Sequence, residues 1–293
     1  MESASSKIDL SIIIVCYKSK GYLAVLLPSI FQSTKKYSLE VIVVDNDSRD
    51  GTVEAVGALL PAIPNLKLIK NINNGFSAGN NRGMKSSSGR YILLLNPDTK
   101  VQPDTFEVML DMMENRPNVG VSGCKLIKGD GKLDLACRRR FPNPSNSFKR
   151  LFLLDRSDYN YTEVDENREM EVDSVVGAFL LIRRQVLDKI GPLDERFFMY
   201  GEDLDWCWRC KAAGYKVLYY PRTFIYHYKG QSSKKAPLKM LRTFHDAMWI
   251  FYVKHYAGGH RAAFNALVWC GIYGRYGALA ILNFFKNDPR VSA

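Results

Sequence analysis

The sequence predicts an α/β protein: a mostly parallel, twisted sheet flanked by helices, with a helical appendage at its C-terminal end. Two observations carry this expectation. Short, apolar, β-rich runs alternate with helical segments through the N-terminal half, the pattern of a sheet wound with crossover helices. The chain then closes on two long aromatic-rich helical segments, and at 293 residues it is long for one simple domain and short for two. The expected division is an α/β domain over residues 1–235 and an appendage over 236–293.

The elements follow in order. Leu10–Cys16 and Val41–Asp45 are continuous apolar runs, as expected of central strands buried on both faces. Leu66–Asn71 and Tyr91–Asn96 read as further strands, and Tyr22–Ser33, Thr52–Leu60, Ala78–Ser88 and Pro103–Glu114 as the helices between and after them. Ligands of such sheets bind beyond the C-terminal ends of the strands. From Ala136 to Glu171 the chain fits neither period, apart from a short helix near Phe148–Leu154, and reads as a long functional excursion. Val172–Ile182 reads as a strand pair or bulge around Gly177, Asp203–Ala213 as a helix, and Lys216–Tyr220 and Phe224–Tyr228 as strands. The last helices span Leu238–Tyr256 and Ala262–Phe285.

Hydrophobic residues make up 46% and charged residues 24% of the chain, which excludes a disordered polyelectrolyte. The formal charge of +11 is uneven: from Lys234 onward nine Lys or Arg face two Asp, 9 − 2 = +7. Such a tail favours an anionic partner. No helix-turn-helix, zinc-finger or RNA-binding signature accompanies it, so nucleic acid is not expected. The apolar run Ala262–Tyr273 falls short of the roughly twenty residues of a membrane span, and an interfacial helix on an anionic membrane surface is the better match. A helical hairpin packed on the α/β domain is the alternative. Cys207-x-x-Cys210 has no second pair at zinc-finger spacing and reads as ordinary reduced thiols. No signal peptide is visible at the N-terminus, so the cytoplasm is the expected compartment.

Several polar clusters stand at ends of expected strands. Asp45, at the end of its run, can accept hydrogen bonds from a base or ribose, or can simply open a polar turn in which Asp50 caps the next helix. Asn73–Gly83 is a small-residue loop entering a helix, where backbone can approach a phosphate and Arg82 can pair with a diphosphate. Asn96-Pro97-Asp98 follows a buried strand, either as a hard oxygen ligand for Mg²⁺ or Mn²⁺ or as an Asx-Pro turn. Glu202, Asp203 and Asp205 crowd a helix start, which the helix dipole favours by itself; one of them can also accept a hydroxyl proton. His227 closes a strand, as metal ligand or structural imidazole.

Taken together, these pieces resemble the inverting family 2 glycosyltransferases of the GT-A fold, and within them the bacterial rhamnosyltransferase type. The matching stretches are Ser11–Tyr17, Val44–Thr52, Asn73–Gly83, Leu94–Asp98, Val176–Arg184, Phe198–Arg209 and His227–Ser232, in that order over residues 8–235. The resemblance implies transfer of a sugar from a nucleoside diphosphate to a glycan or polyprenyl-diphosphate-linked acceptor in cell-surface polysaccharide synthesis, at the inner face of the plasma membrane. The implied donor is dTDP-rhamnose, with UDP-hexose or UDP-galactofuranose as alternatives. It assigns Asp203 as catalytic base, with Glu202 and Asp205 supporting the base or binding acceptor. Tyr17, Asp45, Asn46, Gly75, Asn80, Arg82, Asn96, Gly177 and Ala178 would bind the nucleotide sugar, and Asp98 and His227 the divalent ion. Many relatives carry Asp-x-Asp where this chain has Asn96-Pro97-Asp98, one charge fewer at the metal. The competing readings are a nucleotidyltransferase, for whose basic glycine-rich loop Tyr17-Lys18-Ser19-Lys20-Gly21 is only a poor version, and a non-catalytic nucleotide- or glycan-binding scaffold.

Overall fold

The computed structural model describes residues 8–143, 146, 147, 149, 157–228 and 237–284. Most of the helix expected at Phe148–Leu154, the Lys229–Ser232 part of the last motif, the basic residues Lys234 and Lys235, and Phe285 lie outside that set.

β1 (Leu10–Cys16), β2 (Leu39–Asn46) and β4 (Tyr91–Leu95) are buried at every position. Strands without a solvent face belong in the middle of a parallel sheet covered on both sides. With β3 (Leu66–Asn71) they form the parallel array β3-β2-β1-β4. The second half of the sheet is mixed. β8 (Phe179–Arg183) runs antiparallel to β4 and to β6 (Val119–Lys128). β9 (Lys216–His227) is parallel to β6 and antiparallel to β5 (Thr99–Val101) and β7 (Met170–Glu171). Parallel neighbours need a long crossover; β8 arrives from the irregular middle segment and is free to run the other way.

The expected helices are present within about two residues, the usual uncertainty of an end, apart from the second: α1 (Lys20–Phe31), a shorter α2 (Thr52–Gly57), α3 (Phe76–Lys85) and α4 (Thr105–Asn115). Gly83 lets α3 lie flat on the sheet, since a Cβ there would stand 2.5 Å from Ile13 Cγ2. β5, β6 and α5 (Arg184–Ile190) were not among the predicted elements. The strand expected around Gly177 is shorter than predicted, because the Gly177 amide donates to Asp203 Oδ2 at 3.0 Å rather than to a neighbouring strand. The two strands expected near the end merge into β9, with a register irregularity beside Pro221, which has no ladder donor.

α6 (Glu202–Ala212) and α7 (Pro237–His255) are stapled together. Phe197, Leu204, Ala247 and Phe251 make a small second core, joined by Phe141 and Trp208. α8 (Ala262–Phe284) packs on α7 through Ile272 and through Arg275, whose Nη1 donates to the buried His245 Nε2 at 3.0 Å. The charge that interrupts the apolar run of this helix is therefore an internal one. The hairpin alternative of the sequence accounts for the inner faces of both helices. Phe264, Leu267, Trp269, Ile281 and Leu282 remain exposed on α8.

Candidate active site

The parallel strands end at one edge, where β1 delivers Tyr17, β2 delivers Asn46 and β4 delivers Asn96-Pro97-Asp98 to a cleft of about 890 Å³. Gly75, Gly177, Ala178, Glu202, Asp203 and His227 line the same cleft. Ten of the fourteen sequence-assigned residues, Tyr17 and Asn46 among them, thus converge from separate stretches of the chain.

Asp98 and His227 meet because β5 pairs with the end of β9: Thr99 lies opposite His227, and the Tyr228 amide donates to the Asp98 carbonyl at 2.8 Å. His227 Nε2 stands 3.5 Å from Asp98 Oδ1, too far for a firm hydrogen bond. Nδ1 is held at 3.0 Å by Asp134, a buried residue that sequence reasoning missed. With Nδ1 protonated toward a carboxylate, Nε2 is the nitrogen left for a metal. Burial pushes the His227 imidazole down, but Asp134 and Asp98 outweigh it and raise it above the ordinary histidine value. Among the described residues no group of three or more His, Cys, Asp or Glu is arranged around one ion position. A carboxylate and an imidazole are a fitting but incomplete donor set; magnesium and manganese ions commonly take only one or two protein ligands and complete their shell with substrate phosphates and water.

Asp203 opens α6, after a turn in which Tyr200 (φ 72°) and Gly201 (φ 82°) take left-handed conformations. Its Oδ2 accepts from the Gly177 amide at 3.0 Å and from Arg139 Nη2 at 2.9 Å, and Oδ1 from the Leu204 amide at 2.8 Å. Arg139 is buried and also donates to Ser174 Oγ and the Val175 carbonyl. It comes from the irregular segment, where the run Arg138-Arg139-Arg140 was the available signal. Beside Asp203, Glu202 is pushed up to about 8 by burial and by the Asp203 charge, and its Oε2 has no hydrogen-bond partner among the described residues.

Four assigned residues do not line the cleft. Asp45 lies just behind it, with Oδ2 accepting from the Ser48 amide at 3.1 Å and Oδ1 buried without a hydrogen-bond partner among the described residues. Asn80 is buried and donates to the Phe76 carbonyl of its own helix, while Arg82 projects into solvent; neither is placed to hold a diphosphate. The first amide of α3, expected to face an anion, donates instead to the Phe198 carbonyl at 2.6 Å. Asp205 points away from the cleft, fully buried against Arg209 Nε (2.9 Å), Lys254 Nζ (2.7 Å) and His255 Nε2 (2.9 Å). Its acceptor-side assignment is corrected by helix geometry: two residues along a helix is a turn of about 200°, which puts it opposite Asp203. Cys207 and Cys210 are buried free thiols.

A family model described as "Glycosyl transferase family 2" matches residues 11–191, more than half of the chain. The chain belongs to glycosyltransferase family 2. This glycosyltransferase is 26% identical over 279 residues to N-acetylglucosaminyl-diphospho-decaprenol L-rhamnosyltransferase of Mycobacterium tuberculosis, covering 86% of this chain and 87% of the relative. Its fold resembles that of S. aureus TarS 1-349 in complex with UDP-GlcNAc (TM-score 0.58, 18% identity, 95% of this chain and 75% of that one). It also resembles mannosyltransferase PcManGT from Pyrobaculum calidifontis in complex with GDP-Man and Mn2+ (TM-score 0.60, 16% identity, 97% and 77%). The glycosyltransferase has the GT-A fold that its motifs imply, with rhamnosyltransferases among its relatives.

Proposed function

We propose that this family 2 glycosyltransferase moves a sugar, with inversion, from a nucleoside diphosphate to a hydroxyl of a polyprenyl-diphosphate-linked saccharide. The observation that carries this reading is the convergence of Asp203 and of the Asp98–His227 pair on one cleft. A carboxylate offers about four lone-pair positions. Three described bonds occupy those of Asp203, which leaves one for an acceptor hydroxyl. Arg139 orients that carboxylate, while a neutral Glu202 spares the pair from mutual repulsion. One positioned base suffices for a single in-line displacement, and a single displacement inverts the anomeric centre. Asp98 and His227 would hold a divalent ion, which supplies electrostatic stabilisation to the departing diphosphate. Asp45 Oδ1, buried and without a partner among the described residues, fits recognition of the nucleotide by accepting a hydrogen bond.

The donor we favour is dTDP-rhamnose, with UDP-hexose or UDP-galactofuranose next; the lipid-linked acceptor follows the named activity of the mycobacterial relative. No helix among the described residues is long and apolar enough to cross a membrane. The exposed apolar side of α8 and the exposed Arg242 and Arg261 support seating on an anionic membrane, which we place at the inner face of the plasma membrane. A thermal-shift panel of dTDP-, UDP- and GDP-sugars with Mn²⁺ or Mg²⁺ tests the donor, since a ligand of the native state raises the melting temperature. Asp203→Asn is expected to keep that rise and lose transfer; unchanged turnover would remove Asp203 as the base.

A further inference from the structure

The cleft has two chemically different halves. One holds Asp98, Glu202, Asp203 and His227. The other is walled by the C-terminal helices, with Met240, Phe244 and Met248 along one face of α7 and Val268 and Ile272 along one face of α8. Spacings of four residues put each set on a single helical stripe. From Met240 to Phe251 that wall follows about 16 Å of helix. No acidic residue of α7 or α8 lines it, and Lys239 stands where the halves meet, its Nζ 5.2 Å from the Phe198 ring centre.

We infer that the apolar half is the seat of the acceptor's isoprenoid chain, with Lys239 facing the diphosphate that joins chain to saccharide. The inference rests on the transferase reading above and extends it to a second subsite. A sugar cannot fill this half well: Met, Val and Ile side chains offer no useful partner to hydroxyls, and a buried hydroxyl left unbonded is penalised. An amphiphile satisfies both halves at once. Its tail lies against Met240, Met248, Val268 and Ile272, its diphosphate meets a cation, and its saccharide reaches Asp203. The groove is also continuous with α8, whose outer side exposes Leu267 and Trp269, so a chain can pass from a lipid surface into the cleft along one helix.

Gly271 gives the cleanest test. It lines the groove, and a Cβ built on it meets nothing within 4 Å. Gly271→Leu therefore plugs the groove while improving helix propensity, so the variant keeps its fold. The probes are farnesyl diphosphate, inorganic diphosphate and a saturated single-chain lysophosphatidate, titrated against the 293-residue protein by intrinsic fluorescence. Wild type is expected to bind farnesyl diphosphate at least tenfold more tightly than inorganic diphosphate. Gly271→Leu is expected to bring that ratio close to one, and Val268→Asp to lower it severalfold. Equal affinity for the two diphosphates in wild type, an undiminished ratio in Gly271→Leu, or a preference for the lysophosphatidate overturns the inference. The donor panel reports separately: nucleotide sugars that fail to bind while the farnesyl preference persists would sink the transferase reading and leave the groove standing.

Discussion

Replacing Asp205 by Asn separates a structural carboxylate from a catalytic one. Asp205 is completely buried, and its two oxygens touch three basic groups within 3 Å: Arg209 and Lys254 at 2.9 and 2.7 Å, and His255 at 2.9 Å. Removing one member of a buried ion pair costs about 3–5 kcal/mol, because the remaining charges stay where water cannot fully reach them. Here Arg209 and Lys254 keep 20% and 23% of their side-chain surface, and Lys254 retains Asp194 at 2.7 Å, so the lower end applies, about 3 kcal/mol. At about 2 °C per kcal/mol for a chain of this size, the melting temperature is expected to fall by about 6 °C. Burial raises the Asp205 carboxyl, but His255 and Lys254 outweigh it and hold it below the ordinary aspartate value. A depressed carboxyl stabilises the fold above its unfolded value and loses that contribution as pH falls through its folded one. The gap between wild type and variant is thus expected to be full near neutrality and to close in acid. Differential scanning fluorimetry across pH, with and without donor, measures both. An unshifted melting temperature together with lost turnover would refute the structural role and restore Asp205 to the acceptor side.

Glu202→Gln tests the neutral carboxyl. A group raised from 4.5 to about 8 binds a proton in the folded state that the unfolded chain has released, so wild type loses stability as pH rises through that window; the variant is expected to be relatively more stable at pH 8 than at pH 5, and a constant difference between them counts against the assignment. Asp134→Ala, which frees His227 Nδ1, is expected to weaken Mn²⁺-dependent donor binding about 10–100-fold, read by calorimetry; unchanged affinity removes Asp134 from the metal site. Gly75→Ala meets both an unfavourable φ of 107° and the Phe198 carbonyl at 2.5 Å from the new Cβ, and is expected to destabilise by about 2 kcal/mol or more in urea unfolding; a neutral result means that the turn relaxes freely.

The parts of the fold legible in the sequence were those with a strong local signal. β1, β2 and β4 are unbroken apolar runs, and burial on both faces requires that pattern. β6 was illegible because Gly120 and Gly123 break its run. Those glycines answer to tertiary contacts, since a Cβ at Gly120 would stand 2.7 Å from Cys210 Sγ and one at Gly123 2.8 Å from Val175. At the cleft, the positions of Asp98, Asp203 and His227 were readable because Asp98 follows β4, Asp203 lies in the first turn of α6 and His227 ends β9. Arg139 and Asp134 were not, because each gains its role from a partner far along the chain: Asp203 for one and His227 for the other. Asp205 was misassigned by proximity in sequence, where the angular step along a helix was the relevant distance.

The glycine-rich loop and the turn before the carboxylate helix are fitted to each other. Phe76 N and Ser77 Oγ donate to the carbonyls of Phe198 and Phe197, both at 2.6 Å, and Asn81 exchanges hydrogen bonds with both backbone groups of Leu193. Two segments more than a hundred residues apart therefore behave as a single mechanical part. Any redesign that grafts the corresponding glycine-rich loop of another enzyme onto this scaffold has to import the matching 193–201 turn with it, because either one alone would meet a surface cut for a different partner.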